Sequence, residues 1–271
     1  MKCKLVQTLA ILVSATIVAT ASHGEDVNVQ PDPGENGHAA ALTAILNAWP
    51  ARPFPDEIGG VELTCIATPG EERYVGIVRR TIVRAPIAAV EDILEDVAHY
   101  KDLFPNTVDV RVVSGSPSGS RFATRWEQRV PLVFIPNVHY ELTHVVDRGG
   151  ADRRVYRYRL RHGDRLLASD GMAVVEASGP RTTRFTEYGF FHARTGPMPV
   201  TLVWRESVRA AYLGNAAIKL KAENPDWSYE RVAAESRRLL AADEARVSGC
   251  VTSRYANALR EEIVEAAHAP R

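Results

Sequence analysis

The sequence predicts an α+β fold in which a curved antiparallel sheet surrounds a long C-terminal helix, with extra helices after it. Segments rich in β-branched and aromatic residues alternate with turns that contain Gly and Pro, which is typical of antiparallel strands. Apolar residues recur at helical spacing early, over 90–97, and late, over 200–223. Strands, a helix pair, many strands and a long helix in that order indicate an α+β domain.

The individual elements follow from these periodicities and from the turn residues that separate them. Strands are predicted at 61–67, 74–83, 107–113, 120–130, 137–147, 153–161, 168–177 and 181–193. Helices are predicted at 38–49, 90–97, 100–104, 200–223, 228–245 and 255–267. Ser228 is placed to cap the helix that follows it.

The N-terminus has the features of a signal peptide. A basic start precedes an apolar run over 5–18, and small residues at 19–21 provide a cleavage pattern. The run is shorter than the roughly 20 residues that a membrane-spanning helix needs. We therefore expect a signal peptide over 1–21, a flexible polar leader over 22–37 and a periplasmic or secreted protein. The alternative is an uncleaved membrane anchor.

Cys65 and Cys250 remain after this cleavage. Disulfides persist in exported proteins, so the pair predicts a bridge between the two ends of the mature chain. Closing so long a loop contributes about 4–5 kcal/mol in the chain-entropy model. The alternative is two separate buried thiols.

Composition and motifs exclude several functions. The 33 basic and 33 acidic residues balance, whereas binding to nucleic-acid phosphates needs a basic excess. The sequence contains no HExxH motif, phosphate loop or dinucleotide fingerprint. His139 and His144 are five residues apart and point to opposite faces of a strand, so they do not share a metal. We expect no metal, no cofactor and no nucleic-acid partner, and the sequence does not specify an oligomeric state.

One family resemblance rests on a motif at the start of the predicted sheet domain. The motif consists of Val83-Arg84-Ala85-Pro86, Val90, Leu94-Glu95-Asp96-Val97, Tyr100 and Leu103-Phe104-Pro105, with a closing helix over 213–223. With these residues, the stretch 74–224 resembles the START-like (SRPBCC) helix-grip superfamily, in particular its polyketide cyclase/dehydrase and coenzyme Q-binding branch. The resemblance implies a helix-grip ligand-binding domain over 38–226 and a helical C-terminal extension over 227–271.

Alternation along the strands selects the side chains that face the long helix. The residues expected to bind ligand are Phe122, Trp126, Tyr140, Leu142, Tyr156, Tyr158, Phe185, Glu187, Phe191 and Tyr212. Inward aromatic rings with a few polar tips suit an elongated apolar ligand that bears a polar head. The alternative is a packed core without a cavity. Glu187 is the candidate acid or base if the pocket is catalytic, and otherwise a carboxylate held by Tyr or Arg neighbours.

Two surface features suggest contacts outside the pocket. Leu132, Phe134 and Ile135 lie between prolines at a predicted hairpin tip, with Met198 expected opposite them. Exposed apolar patches mark contact sites, so we expect a mouth loop that transiently touches a membrane surface or a ligand donor. The alternatives are a continuing strand or a tip covered by the C-terminal extension. The arginines over 153–161 either steer the protein to anionic headgroups or form the solvated face of a strand.

These features predict an exported protein that binds or transfers a hydrophobic ligand, such as a lipid, quinone, sterol, hopanoid or polyketide-like molecule. One alternative is a cyclase- or aromatase-like enzyme that uses the same pocket. Another is an envelope interaction module that holds no ligand. We favour the role without catalysis because no enzyme signature accompanies the inward side chains.

Overall fold

The computed structural model describes residues 60–67, 74–130, 136–193 and 200–249. In these residues eight antiparallel strands form one curved sheet, in the order β1-β2-β8-β7-β6-β5-β4-β3. The strands are β1 (Glu62–Ala67), β2 (Tyr74–Val83), β3 (Thr107–Gly115), β4 (Arg121–Gln128), β5 (Val138–Gly150), β6 (Arg153–Gly163), β7 (Leu166–Gly179) and β8 (Thr182–Ala193). The last six strands form a meander, and its final strand returns to pair with β2.

Helices precede and follow the meander. They are α1 (Ile87–Glu95), a 3₁₀ turn (Val97–His99), α2 (Tyr100–Leu103), α3 (Val200–Glu223), α4 (Tyr229–Ala242) and α5 (Glu244–Gly249). Pro86 stands immediately before α1, and the side chain of Ser228 accepts a hydrogen bond from the backbone N–H of Arg231 at 3.3 Å, as a cap does. None of the helices in the described part of the chain is both long and apolar enough to cross a membrane.

Helix α3 packs along the concave face of the sheet. At one end, fully buried Val83, Val175 and Phe185 meet Ile218 of α3 in a large apolar cluster. At the other end, Val61 belongs to a second cluster that includes side chains of α3, α4 and α5. The helices after α3 therefore cover the inner side of the edge strand β1.

Polar contacts of charged side chains hold the first and third helices over the sheet. Glu91 of α1 accepts hydrogen bonds from Nε of Arg148 on β5 at 3.1 Å and from Nε of Arg154 on β6 at 2.8 Å. Lys219 of α3 donates to Glu223 at 2.6 Å and also to the carbonyl of Ile82 on β2. These contacts tie both helices to strands at fixed positions, which defines the space between them.

The predicted α+β fold is confirmed, and the strands differ from the prediction by at most three residues at an end. The predicted helix over 228–245 is two helices, which meet at Asp243. The signal peptide, the leader and the predicted helices over 38–49 and 255–267 lie outside the described residues. Cys65 is buried in β1, but Cys250 also lies outside them, so the disulfide stays a prediction.

Candidate ligand-binding cavity

A cavity of about 660 Å³ lies between the concave face of the sheet and α3. This volume falls in the range of small-molecule sites, roughly 300–1,000 Å³. Eight of the predicted residues line it: Phe122, Trp126, Tyr140, Leu142, Tyr156, Tyr158, Glu187 and Phe191. The space between sheet and helix is thus hollow, and the alternative of a solidly packed core is wrong.

Two predicted residues, Phe185 and Tyr212, are not among the described residues that line the cavity. Phe185 shares a strand face with Glu187, but it is fully buried where the sheet and α3 touch. Tyr212 is also fully buried, and its hydroxyl donates to Asp243 Oδ2 at 2.6 Å. Alternation gives the face of a strand but not the depth along it, so it could not show that Phe185 packs against α3. Tyr212 lies on α3 itself, where strand alternation does not apply.

An aromatic wall closes one side of the cavity. Trp126 and Tyr140 stack with centroids 5.9 Å apart and an interplanar angle of 6°. Tyr100 and Phe104, at helix α2, contact Trp126 with centroid distances of 5.6 and 5.9 Å. Burial raises the pKa of Tyr100 and of Tyr140, so both phenols stay neutral. Tyr100 and Phe104 were named in the sequence motif but not as site residues.

A buried ion pair lies on the sheet side of the cavity. Arg79 Nη2 of β2 lies 2.6 Å from Glu187 Oε1 of β8, and the two side chains are only 10% and 15% exposed. Nε of Arg79 has no hydrogen-bond partner among the described residues. The ion pair supports the expectation that Glu187 is held by a neighbour. Arg79 was missed, although it shares strand parity with Ile77, which also lines the cavity.

Tyr158 reaches this ion pair because two glycines lie beneath it. In the sheet register Tyr158 pairs with Gly171 of β7, which in turn pairs with Gly189 of β8. A Cβ at position 171 would overlap the phenol ring, and one at 189 would lie 2.8 Å from its hydroxyl oxygen. Without these two glycines the ring could not lie flat across the sheet. Burial raises the pKa of Tyr158, and the hydrogen bond with Arg79 lowers it in part.

A second polar group lies on β4 and β5. His144 stacks on Phe122 at 4.3 Å between centroids, with an interplanar angle of 5°. Its Nε2 lies 2.8 Å from Thr124 Oγ1, and the same oxygen accepts a hydrogen bond from Trp126 Nε1 at 2.8 Å. Burial lowers the pKa of His144 to about 4, so the imidazole is neutral near pH 7. His144 shares its strand face with the predicted residues Tyr140 and Leu142 but was not predicted as a site residue.

The rim of the cavity carries charged and solvent-exposed side chains. Arg129 and Arg205 line the cavity and are exposed, so the cavity reaches the surface there. Val130, just before the predicted mouth loop, and Ala193, at the end of β8, also line it. The mouth-loop residues themselves, Leu132, Phe134, Ile135 and Met198, lie outside the described residues. The described part of the chain contains no group of three side chains suited to hold a metal.

Arginines of β6 form ion pairs on the outer face of the sheet. Arg153 pairs with Glu176 at 3.0 Å and Arg159 pairs with Asp170 at 2.8 Å, both on the outer face of the neighbouring strand β7. Arg154 points to the opposite face and contacts α1. This arrangement supports the interpretation of a solvated strand face rather than a single basic surface.

Comparison with known proteins identifies the fold. No family model and no curated protein matches the chain. A STAR-related lipid transfer protein from Xanthomonas axonopodis is similar in structure, with a TM-score of 0.53 and 11% identity over 62% of this chain and 97% of that one. Human StAR-related lipid transfer protein 5 gives a TM-score of 0.51 and 13% identity over 71% and 98% of the two chains. The chain therefore has the START-like helix-grip fold, here with a largely apolar cavity between sheet and helix.

Proposed function

We propose that this protein binds a hydrophobic molecule in the helix-grip cavity and carries it in an extracytoplasmic compartment. The observation that supports this most directly is the hollow of about 660 Å³ lined by aromatic and aliphatic side chains. Removing the apolar surface of a ligand from water there contributes about 25 cal/mol per Å². The similar structures named for lipid transfer have the same fold, which agrees with this role.

The cavity chemistry narrows the ligand to an apolar body with a polar head. Most of the wall offers rings and aliphatic groups, whereas the Arg79–Glu187 pair and the Tyr158 hydroxyl form one polar group. A polar head of the ligand that lies against this group can exchange hydrogen bonds with it. Lipids, sterols, hopanoids, quinones and polyketide-like molecules all meet this description.

We further propose that the protein is exported and that it exchanges its ligand at a membrane surface. The signal peptide over 1–21 would direct the protein to the periplasm or outside the cell, where a carrier shields its ligand from water. Val130 and Ala193 line the cavity, and they are the described residues that come immediately before the segments 131–135 and 194–199 in the sequence. Their apolar residues, Phe134 and Met198 among them, would transiently contact a membrane surface during exchange.

Titration with a dansylated long-chain fatty acid tests the proposal. Ala210 of α3 lines the cavity, so Ala210→Trp fills part of the space. Ala234 of α4 is exposed and away from it, so Ala234→Trp is the matched control. We expect saturable binding by the wild type and the control, and affinity about tenfold lower, or 1.4 kcal/mol, in Ala210→Trp. Equal affinity in all three proteins would place binding outside the cavity, and lack of binding by the wild type would contradict the proposal.

A further inference from the structure

The hydrogen bonds around Thr124 determine which nitrogen of His144 carries its proton. Trp126 Nε1 only donates, so it occupies one lone pair of Thr124 Oγ1. Thr124 is fully buried, and its hydroxyl hydrogen needs an acceptor. The second described partner of Oγ1 is His144 Nε2 at 2.8 Å. Trp126 Nε1–H therefore donates to Thr124 Oγ1, and the hydroxyl of Thr124 donates in turn to Nε2 of His144.

The remaining nitrogen of the ring is a donor that faces the cavity. A neutral imidazole that accepts through Nε2 carries its hydrogen on Nδ1. The neutral form agrees with the pKa of His144, which burial lowers to about 4. No described residue accepts a hydrogen bond from Nδ1, and Nδ1 is not among the buried atoms that lack a partner. Since His144 lines the cavity, its Nδ1–H is open to a bound molecule.

We infer that His144 is a specificity residue of the cavity, and that its Nδ1–H donates a hydrogen bond to a carbonyl oxygen of the ligand. This inference rests on the proposed ligand-binding function and names the ligand class more closely, as a ketone, quinone or ester. A carbonyl oxygen only accepts hydrogen bonds, so it matches the Nδ1–H, which only donates. A hydroxyl in the same place must also find an acceptor for its own hydrogen. The Phe122 ring stacked on His144 keeps the imidazole plane in one orientation.

Nitrogen-15 NMR tests the tautomer without any ligand. We expect the Nδ1 resonance of His144 in the range of a protonated imidazole nitrogen and the Nε2 resonance in the range of an unprotonated one. Thr124→Val removes the hydroxyl that fixes this pairing and should shift the population towards the Nε2–H form. Thr143→Val is the matched control, because Thr143 is exposed on the opposite face of β5. A protonated Nε2 in the wild type would overturn the inference.

Shape-matched naphthalene probes test the ligand class. They are acetylnaphthalene, the corresponding secondary alcohol and ethylnaphthalene, and the readout is the ratio of their Kd values for each protein. We expect the wild type and Thr143→Val to favour the ketone over the hydrocarbon by about fivefold to tenfold, as one net hydrogen bond provides. His144→Phe and Thr124→Val should reduce this ratio towards one, and an unchanged ratio in both would overturn the inference. If the wild type bound none of the probes, the proposed function would fail, while the nitrogen shifts would still decide the tautomer.

Discussion

Replacing Gly171 with Ala introduces a methyl group where the ring of Tyr158 already lies. The new Cβ would overlap Cζ and Oη of Tyr158 and lie 2.5 Å from its Cε1. The atoms involved belong to the ring itself, so a small rotation of a flexible end does not relieve the contact. The ring must lift off the sheet into the cavity, and its hydroxyl then leaves Arg79. Overpacking of this kind costs about 1–3 kcal/mol, which lowers Tm by about 4–8 °C for a 2 kcal/mol loss in a chain of this size.

Thermal and urea unfolding of the wild type and four variants measures this cost. Gly150→Ala is the control, because nothing lies within 4 Å of a Cβ at Gly150. The Gly171→Ala change is also made in a Tyr158→Ala background, where the overlapping ring is absent. We expect a loss in the first background and little or none in the second. An equal loss in both backgrounds, or no loss in either, would refute the packing described for Tyr158.

Three further predictions concern stability. Because burial lowers the pKa of His144 from 6.5 to about 4, the unfolded chain binds a proton in this range that the folded chain does not. Urea unfolding should therefore show about 2 kcal/mol less stability at pH 5 than at pH 7 from this group, and His144→Phe should lose that part of the pH dependence. The side chain of Asn215 is fully buried, and neither polar atom of its amide has a hydrogen-bond partner in the described part of the chain. Asn215→Leu should therefore raise the unfolding free energy by about 1–2 kcal/mol. A lower Tm of this variant would contradict the prediction. Glu91→Ala removes the carboxylate that accepts hydrogen bonds from both Arg148 and Arg154. Calorimetry should therefore show a free energy of unfolding that is lower by about 2 kcal/mol. Unchanged stability would argue against the link between α1 and the sheet.

Local patterns in the sequence were sufficient to locate the helices and strands, because apolar residues recur along each one with its characteristic period. Polar and apolar residues alternate along β4, so Phe122 and Trp126 were assigned to the inner face correctly. The turn residues located the strand ends to within three residues. Whether a residue on the inner face lines the cavity or packs against α3 depends instead on where α3 contacts the sheet. That contact involves residues distant in the chain, so alternation alone could not show that Phe185 packs in the core and does not line the cavity.

The polar groups of the cavity depend on contacts that no single segment specifies. Arg79 and Glu187 meet because β2 pairs with β8, a connection across more than 100 residues. The position of Tyr158 requires glycine on two other strands at the same register. His144 gains its role only when Thr124 and Trp126 lie beside it. Each of these follows from strand register, which the hydrophobic pattern restricts but does not fully define.

Native mass spectrometry of the full protein purified from its own host tests whether the cavity carries a ligand. We expect a complex whose added mass matches one apolar molecule, identified after extraction, and a strongly reduced fraction of that complex in Ala210→Trp but not in Ala234→Trp. A protein that carries no such molecule, and takes none up from a total lipid extract of the host, would contradict the proposed ligand-binding function.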